Sequence, residues 1–183
     1  MPSTPDPGPS RCLVGVTDEP ALAGVAATLV AVLPDHAFIA LEGDLGAGKT
    51  TFVKAVAAAV GIDPAEVVSP TFGLIHIHDS PAAGGRPLRI VHADMYRLSG
   101  AAELHEIGWE DAIAGRFGKR IWTFVEWPSR IAAALPAERL DIAIHIDSET
   151  ARTLEFSSPA AAYRPVIAAF ADRAPPIPPR SHA

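Results

Sequence analysis

The sequence is short of cysteine, of long apolar runs and of basic residues, and each shortage excludes a class of protein. Its single cysteine, Cys12, cannot form an internal disulfide, which is typical of proteins in the reducing cytoplasm. No stretch approaches the roughly 18–20 apolar residues that a membrane-spanning helix needs. Residues 1–10 carry neither the basic start nor the apolar run of a secretory signal. We therefore expect a cytoplasmic protein that has no membrane partner.

Positive charge is also scarce. Lysine and arginine together number 15 against 21 acidic residues, so the formal net charge is −6. A protein that holds RNA or DNA by itself usually presents a basic face, whereas the arginines here are scattered along the chain. Direct, tight binding of nucleic acid is therefore not expected.

Proline, in contrast, is abundant, and much of it lies at the two ends of the chain. Residues 1–11 and 173–183 are rich in proline and poor in large apolar residues, a composition typical of disordered tails. The intervening residues 12–172 are enough for one domain with a hydrophobic core. The sequence therefore predicts a single domain between two disordered tails.

Strand and helix signals alternate within this domain. Apolar runs and period-two alternation predict strands, and apolar residues at helical spacing predict helices. The predicted helices are 19–33, 49–60, 101–114 and 160–171; the predicted strands are 38–42, 71–78, 88–92, 120–126 and a hairpin of 140–146 with 152–157; 80–87 is a predicted loop. This order predicts an α/β fold with helices on both faces of the sheet. The hairpin predicts that the sheet is mixed rather than purely parallel.

Residues 43–50, Gly-Asp-Leu-Gly-Ala-Gly-Lys-Thr, match the P-loop pattern G-x-x-x-x-G-K-[ST]. Glycines let backbone N–H groups approach phosphate oxygens, and the helix that follows directs its positive dipole end at the same anion. Lys49 would contact the β- and γ-phosphates, and the Thr50 hydroxyl is a natural Mg²⁺ ligand. The segment therefore predicts binding of ATP or ADP together with Mg²⁺. The predicted nucleotide-binding residues here are Asp44, Leu45, Gly46, Ala47, Gly48, Lys49, Thr50 and Thr51.

Two predicted strands end in an acidic residue. Asp94 follows the strand that begins at residue 88, and Glu126 ends the strand 120–126. A P-loop site needs a carboxylate at the end of a neighbouring strand to hold Mg²⁺ directly or through water. Both residues are therefore candidates, and spacing alone leaves open which of them contacts the metal.

A second group of residues is placed to respond to the state of the nucleotide. Hydroxyl groups on either side of a rigid proline can sense a γ-phosphate, as switch loops do, although an ordinary turn into a strand has the same composition. Other residues surround Asp94 in the sequence and are expected to order it. The predicted switch and partner-sensing residues are Ser69, Pro70, Thr71, Phe72, His92, Tyr96 and Arg97.

Four segments occur in one order: GDLGAGKTTF at 43–52, SPTF at 69–72, HADMYRL at 92–98 and VEWP at 125–128. Together they resemble the TsaE (YjeE) family, small bacterial P-loop ATPases needed to make threonylcarbamoyladenosine in tRNA. The resemblance covers about residues 13–158. It implies a single P-loop NTPase domain of α/β fold with a mixed sheet.

The resemblance also implies a metal and catalytic set. Thr50 and Glu126 would bind Mg²⁺, and Asp94 would lie near the γ-phosphate, where it is a candidate for water activation or for the outer shell of the metal. With Lys49, the two acids Asp94 and Glu126 form the predicted catalytic residues.

Two residues far from the P-loop are implied to contact the nucleotide. Glu19 matches an acid early in the family pattern, and Arg152 matches the arginine of a Gly-Arg pair near the end of the domain. Ala151 replaces the glycine of that pair here.

Family membership would imply work with two partner proteins, TsaB and TsaD. TsaD transfers the threonylcarbamoyl group to adenosine beside the anticodon, and the ATPase hydrolyses ATP while bound to the complex. RNA would then be contacted indirectly, which agrees with the acidic charge. Two alternatives remain open from the sequence: a small-molecule P-loop kinase, against which no arginine-rich lid is found, and a non-catalytic binding module gated by nucleotide.

Overall fold

The computed structural model describes residues 11–70, 74–80, 87–114 and 120–171. Some sequence predictions lie outside these described residues. They are 1–10 and 173–183 of the predicted tails, Thr71 and Phe72 of the predicted switch, and 81–86 of the predicted loop.

The described chain forms seven strands and four α-helices, with short 3₁₀ helices between some of them. In chain order they are β1 (Arg11–Val16), α1 (Glu19–Val32), β2 (His36–Glu42), α2 (Lys49–Ala59), β3 (Ile75–Ser80), β4 (Leu88–Asp94), α3 (Trp109–Ile113), β5 (Arg120–Glu126), β6 (Leu140–Ile146), β7 (Arg152–Ser157) and α4 (Arg164–Ala171). The 3₁₀ helices in the described ranges include Ala101–Ile107, Pro128–Ala134 and Ala161–Tyr163.

All of these strands belong to one mixed sheet with the order β1-β7-β6-β2-β5-β4-β3. At its centre, β6, β2, β5 and β4 run parallel to one another. β3 is antiparallel at one edge, and the β6–β7 hairpin with β1 is antiparallel at the other. The predicted α/β fold, mixed sheet and terminal hairpin are confirmed. Because β2, β5 and β4 are adjacent and parallel, the segments that follow their carboxyl ends meet at one edge of the sheet.

Apolar cores lie on both faces of the sheet, because the strands alternate their buried side chains. Ile39 of β2 packs with α1, α2 and α4 on one face. Phe38, its neighbour, packs on the opposite face with α3 and the 3₁₀ helices that flank it. Helix α2 is fixed to the first face by Phe52 and Val56, both fully buried, and each such side chain contributes about 1.5–3 kcal/mol. The helix that follows the glycine-rich segment is therefore held rigidly against the sheet.

Helix α1 begins and ends as its sequence requires. The Asp18 side chain caps it by accepting a hydrogen bond from the Ala21 amide at 2.8 Å, and Pro20 occupies the first turn, where its missing N–H costs nothing. Leu33 leaves the helical conformation just before Pro34, because a residue that precedes proline disfavours the helical region. Neither this helix nor another in the described ranges is long and apolar enough to cross a bilayer.

Two predictions of secondary structure need correction. The predicted helix 101–114 is instead a 3₁₀ helix followed by the short α3, because Gly108 between them has a left-handed φ of +70°, a conformation that ends a helix. Strand β1 was not predicted from the sequence, and its first residue, Arg11, lies in this strand rather than in the predicted disordered tail 1–11. Its signal was the alternation of the buried residues Cys12, Val14 and Val16, but the adjacent proline-rich segment obscured that pattern.

Candidate active site

The segment 43–50 forms a loop from the end of β2 to the start of α2. Three of its residues adopt positive φ angles: Gly43 at +151°, Gly46 at +82° and Gly48 at +104°. At Gly43 a side chain is also excluded by space, because a Cβ atom there would lie 2.7 Å from the carbonyl oxygen of Ile144. Gly48 caps α2 without a side-chain hydrogen bond. The N–H groups of the first turn of α2 therefore stay available to an anion.

The Lys49 side chain folds back across the mouth of this loop. It is 5% exposed, and its Nζ donates hydrogen bonds to the carbonyl oxygens of Gly43 at 2.7 Å and Asp44 at 3.0 Å. The ammonium also lies 3.9 Å from the ring centroid of Trp127, within the range of a cation–π interaction. Burial lowers the pKa of Lys49, and nearby carboxylates, Glu126 foremost, oppose that shift. A positive charge is thus held where the loop opens.

Thr50 and Glu126 are brought together from α2 and β5. The Thr50 hydroxyl donates to Glu126 Oε1 at 2.7 Å, and the Glu126 side chain is almost completely buried. His92 Nε2 lies 2.8 Å from the same oxygen. The sequence predicted that His92 would order Asp94; the structure places its ring nitrogen against Glu126. Hydroxyl and carboxylate oxygens are the ligand types that Mg²⁺ prefers, so the pair suits a magnesium site.

Asp94 lies beside Glu126 because β4 and β5 are parallel and pair these two residues in register. It is buried and accepts hydrogen bonds from the Tyr96 backbone amide at 2.9 Å and from the Ser69 hydroxyl at 3.2 Å. Tyr96 therefore orders Asp94, as the sequence predicted, although through its backbone. The Ser69 contact links the predicted switch segment directly to the acid at the end of β4.

Trp127 is a site residue that sequence reasoning missed, because tryptophan is more often found in cores and interfaces. It has a left-handed φ of +57°, an uncommon conformation for a bulky residue. This conformation places its ring over Lys49 and against Tyr96, at a centroid distance of 5.0 Å. The Arg130 guanidinium lies 5.8 Å from the centroid of the Tyr96 ring. The position of Trp127 directly after Glu126 was the one feature of the sequence that could have identified it as a site residue.

An open cavity of about 410 Å³ lies on the other side of the loop. Its walls are largely apolar and include Leu22, Phe52, Ile144 and Leu154. Of the predicted nucleotide-binding residues, those that line it are Glu19, Gly46, Ala47, Gly48, Thr51 and Arg152. Asp44 and the strongly exposed Leu45 are not among the residues that line it. Glu19 and Arg152, far apart in sequence, are thus brought to one cavity.

Arg152 braces the loop as well as lining the cavity. Its Nε donates to the Ala47 carbonyl oxygen at 3.0 Å, and its Nη1 donates to the carbonyl oxygens of Ser148 and Ala151, each at 2.8 Å. These bonds tie the β6–β7 turn to the glycine-rich loop. The positive charge of the guanidinium is held at the cavity wall by carbonyl groups.

The remaining predicted switch residues follow Ser69 and Asp94 in the chain. Pro70 is buried next to Ser69, whereas Tyr96 and Arg97 are exposed. In the described ranges, no group of three or more histidine, cysteine or acidic side chains has the arrangement of a protein-only metal cage. A metal at Thr50 and Glu126 would therefore need further oxygen ligands from a bound phosphate and from water, as Mg²⁺ commonly does.

The fold and site together define a class: an α/β protein with a glycine-rich loop between a strand and a helix, and paired acids at the carboxyl edge of its parallel strands. The family model described as "Threonylcarbamoyl adenosine biosynthesis protein TsaE" matches residues 16–154. The chain belongs to this TsaE family, whose members take part in the biosynthesis of threonylcarbamoyladenosine in tRNA.

Individual relatives agree with this membership. The protein of Bacillus subtilis named "tRNA threonylcarbamoyladenosine biosynthesis protein TsaE" is 36% identical over 120 residues, covering 66% of this chain and 68% of the relative. Its namesake in Rickettsia bellii is 31% identical over 117 residues, covering 64% and 74%. The crystal structure of Bacillus subtilis YdiB superposes with a TM-score of 0.62 at 27% identity, and covers 89% of this chain and 95% of that one.

Proposed function

We propose that this protein is a Mg²⁺-dependent ATPase that acts with TsaB and TsaD as a regulatory subunit in the threonylcarbamoyl modification of tRNA. The observation that carries the proposal is the 2.7 Å contact of Thr50 with Glu126 beside the buried Lys49 at the mouth of the glycine-rich loop. Family membership supports the pathway, and this contact supports the chemistry.

ATP would bind with its phosphates in the loop and its nucleoside in the cavity. The N–H groups of the loop and of the first turn of α2 suit the phosphate oxygens. Lys49 would exchange its two carbonyl partners for the β- and γ-phosphates. The apolar cavity walls suit a purine ring. Glu19 can accept hydrogen bonds from ribose hydroxyls, and the Arg152 charge favours the phosphate end of the ligand.

Thr50 and Glu126 would hold Mg²⁺, which when bound neutralises charge that develops on the phosphate oxygens. The fit rests on the donor set: a hydroxyl and a carboxylate, both held at the edge of the phosphate loop. The hydroxyl proton of Thr50 now fills the space between the two oxygens. When the cation binds, the Thr50 hydroxyl would keep its proton, turn it away from Glu126 and present an oxygen lone pair instead.

Hydrolysis would follow from the placement of Asp94 and Lys49. A water oxygen attacks the γ-phosphorus, the bond to the β,γ-bridging oxygen breaks, and ADP and phosphate leave. Asp94 is the carboxylate available to orient that water and to accept its proton. Lys49 stabilises the negative charge on the transferred group. Ser69, bonded to Asp94, would communicate the loss of the γ-phosphate to the switch segment.

Partner proteins would meet the exposed rim of this site. Three large apolar side chains next to site residues in the chain are exposed to solvent: Leu45 by 82%, Val68 by 51% and Tyr96 by 45%. Exposed apolar side chains close to a functional site are typical of protein-binding surfaces. The net charge of −6 suits a subunit that leaves RNA contact to its partners.

Reconstitution of tRNA modification tests this function. The reaction contains TsaB, TsaD, tRNA and a threonylcarbamoyl donor. It is run with the wild-type protein, with Lys49→Ala, or with neither, and the moles of threonylcarbamoyladenosine formed per mole of TsaD are measured. We expect repeated turnover only with the wild-type protein and ATP. Lys54→Ala, a lysine on the same helix, is the matched control and should behave as wild type. Equal product with and without the protein would refute the proposed role.

A further inference from the structure

His92 has an environment that strand pairing does not explain. It lies in β4 with no solvent exposure, and its Nε2 is 2.8 Å from Glu126 Oε1. The same oxygen accepts the Thr50 hydroxyl at 2.7 Å. The backbones of β4 and β5 already pair in parallel register from Leu88 to Asp94. The imidazole bond is thus additional to the contacts that hold the two strands together.

The contact with Glu126 points to the nitrogen of His92 that carries the proton. Because an ionised carboxylate oxygen only accepts hydrogen bonds, Nε2 is the donor when Glu126 is ionised. Nδ1 is buried and has no hydrogen-bond partner among the residues that the structure describes. Buried polar atoms without partners are uncommon, and each one calls for an explanation. An aliphatic side chain in this strand would avoid the unpaired nitrogen, so the bond to Glu126 is what the imidazole contributes.

We propose that His92 is a positioning residue for the metal site: its Nε2–H fixes the orientation of the Glu126 carboxylate. This inference rests on the proposed function, because it assigns Mg²⁺ to Glu126. In the structure Thr50 and His92 both hold Oε1. When Thr50 turns to the cation, its bond to Glu126 is lost, and His92 remains as the donor that keeps the carboxylate in place. Hydrogen bonds of this kind orient ligands and tune metal affinity.

Other groups near His92 do not replace this donor. Lys49 is close enough to influence Glu126 electrostatically, but its hydrogen bonds go to the carbonyl oxygens of Gly43 and Asp44. His76 is paired with His92 across β3 and β4 and lies on the side away from β5. Asp94 accepts its own hydrogen bonds from Ser69 and Tyr96. His92 is therefore the side chain placed to donate to Glu126 from the sheet itself.

The test compares His92→Gln with His92→Met. The two replacement side chains have nearly the same shape, but the glutamine amide can donate a hydrogen bond where the thioether cannot. ADP affinity is measured by calorimetry in Mg²⁺ and again in EDTA, and thermal unfolding confirms that each variant is folded. Mg²⁺ raises the ADP affinity of the wild-type protein by some factor, and we expect that factor to be about 10- to 100-fold smaller in His92→Met. ADP affinity in EDTA should stay at the wild-type value, and His92→Gln should retain most of the gain.

The outcomes separate this inference from the function on which it rests. A wild-type protein whose ADP affinity is the same in Mg²⁺ and in EDTA overturns the metal assignment itself. A wild-type gain that His92→Met retains in full overturns only the role of His92. If His92→Met does not fold, the ring tautomer is determined by ¹⁵N NMR of the wild-type protein. A proton on Nε2 supports the bond to Glu126, and a proton on Nδ1 alone overturns it.

Discussion

Lys49→Ala should abolish nucleotide binding, and this is the largest single loss that we expect. The Lys49 ammonium is nearly buried, lies at the loop mouth and is held there by two carbonyl groups and the face of Trp127. The two carbonyl groups can be exchanged for phosphate oxygens. Removing the ammonium removes the compensating charge for the β- and γ-phosphates, so we expect ATP and ADP affinity to fall by about 100-fold or more and phosphate release to be lost with it.

The change at Lys49 should leave the fold intact. Its hydrogen-bond partners are backbone carbonyl groups of the loop itself. The buried side chains that hold α2 against the sheet, Phe52 and Val56, are unchanged, so thermal unfolding should remain cooperative. ATP and ADP affinities are measured by calorimetry, with Lys54→Ala from the same helix as the control. Wild-type affinity in a folded Lys49→Ala protein would remove the loop from the proposed site.

Glu126→Gln should separate nucleotide binding from metal-dependent turnover. Glutamine keeps the shape of the side chain and an oxygen that can accept the Thr50 hydroxyl, but it removes the negative charge that a divalent cation requires. We expect ADP to bind with similar affinity in EDTA, and the gain in affinity with Mg²⁺ to disappear. The rate of phosphate release should fall by about 100-fold or more.

The stability of the Glu126→Gln variant provides an internal check. Because the carboxylate is buried, replacing it with a neutral group of the same size removes a desolvation cost as well as favourable contacts. We therefore expect the unfolding temperature to change little, unlike the turnover. Glu138→Gln, an exposed residue before β6, is the matched control. A titration of Mg²⁺ that is the same for Glu126→Gln and the wild type would show that another residue binds the metal.

The parts of the site that could be predicted were those set by local rules. The spacing in 43–50 predicted a turn from strand to helix, since each glycine position has a conformational reason within the motif itself. Asp94 and Glu126 could be placed at strand ends from apolar runs followed by an acid. Parallel pairing of β4 and β5 then brings the two acids into one register, as expected for neighbouring strands of an α/β sheet.

The parts that could not be predicted depend on tertiary contacts. The partner of His92 is set by the neighbouring strand β5, and nothing near it in the sequence indicates Glu126. Trp127 covers Lys49 because of a left-handed backbone conformation that its residue type disfavours. The apolar spacing of 101–114 predicted one continuous helix, but the left-handed conformation of Gly108 divides it. Leu104 and Trp109, on either side of this glycine, both pack into the same core.

Phosphate release from ATP and Mg²⁺ tests the central claim most directly. The rate is measured for the protein alone, then with TsaB, TsaD and tRNA, with Lys49→Ala as the inactive reference. We predict a low rate alone that rises when the partners are added, no release from Lys49→Ala in either condition, and free phosphate rather than a phosphorylated acceptor as the product. A rate that the partners leave unchanged, or one that Lys49→Ala retains, would contradict a regulatory ATPase at this site.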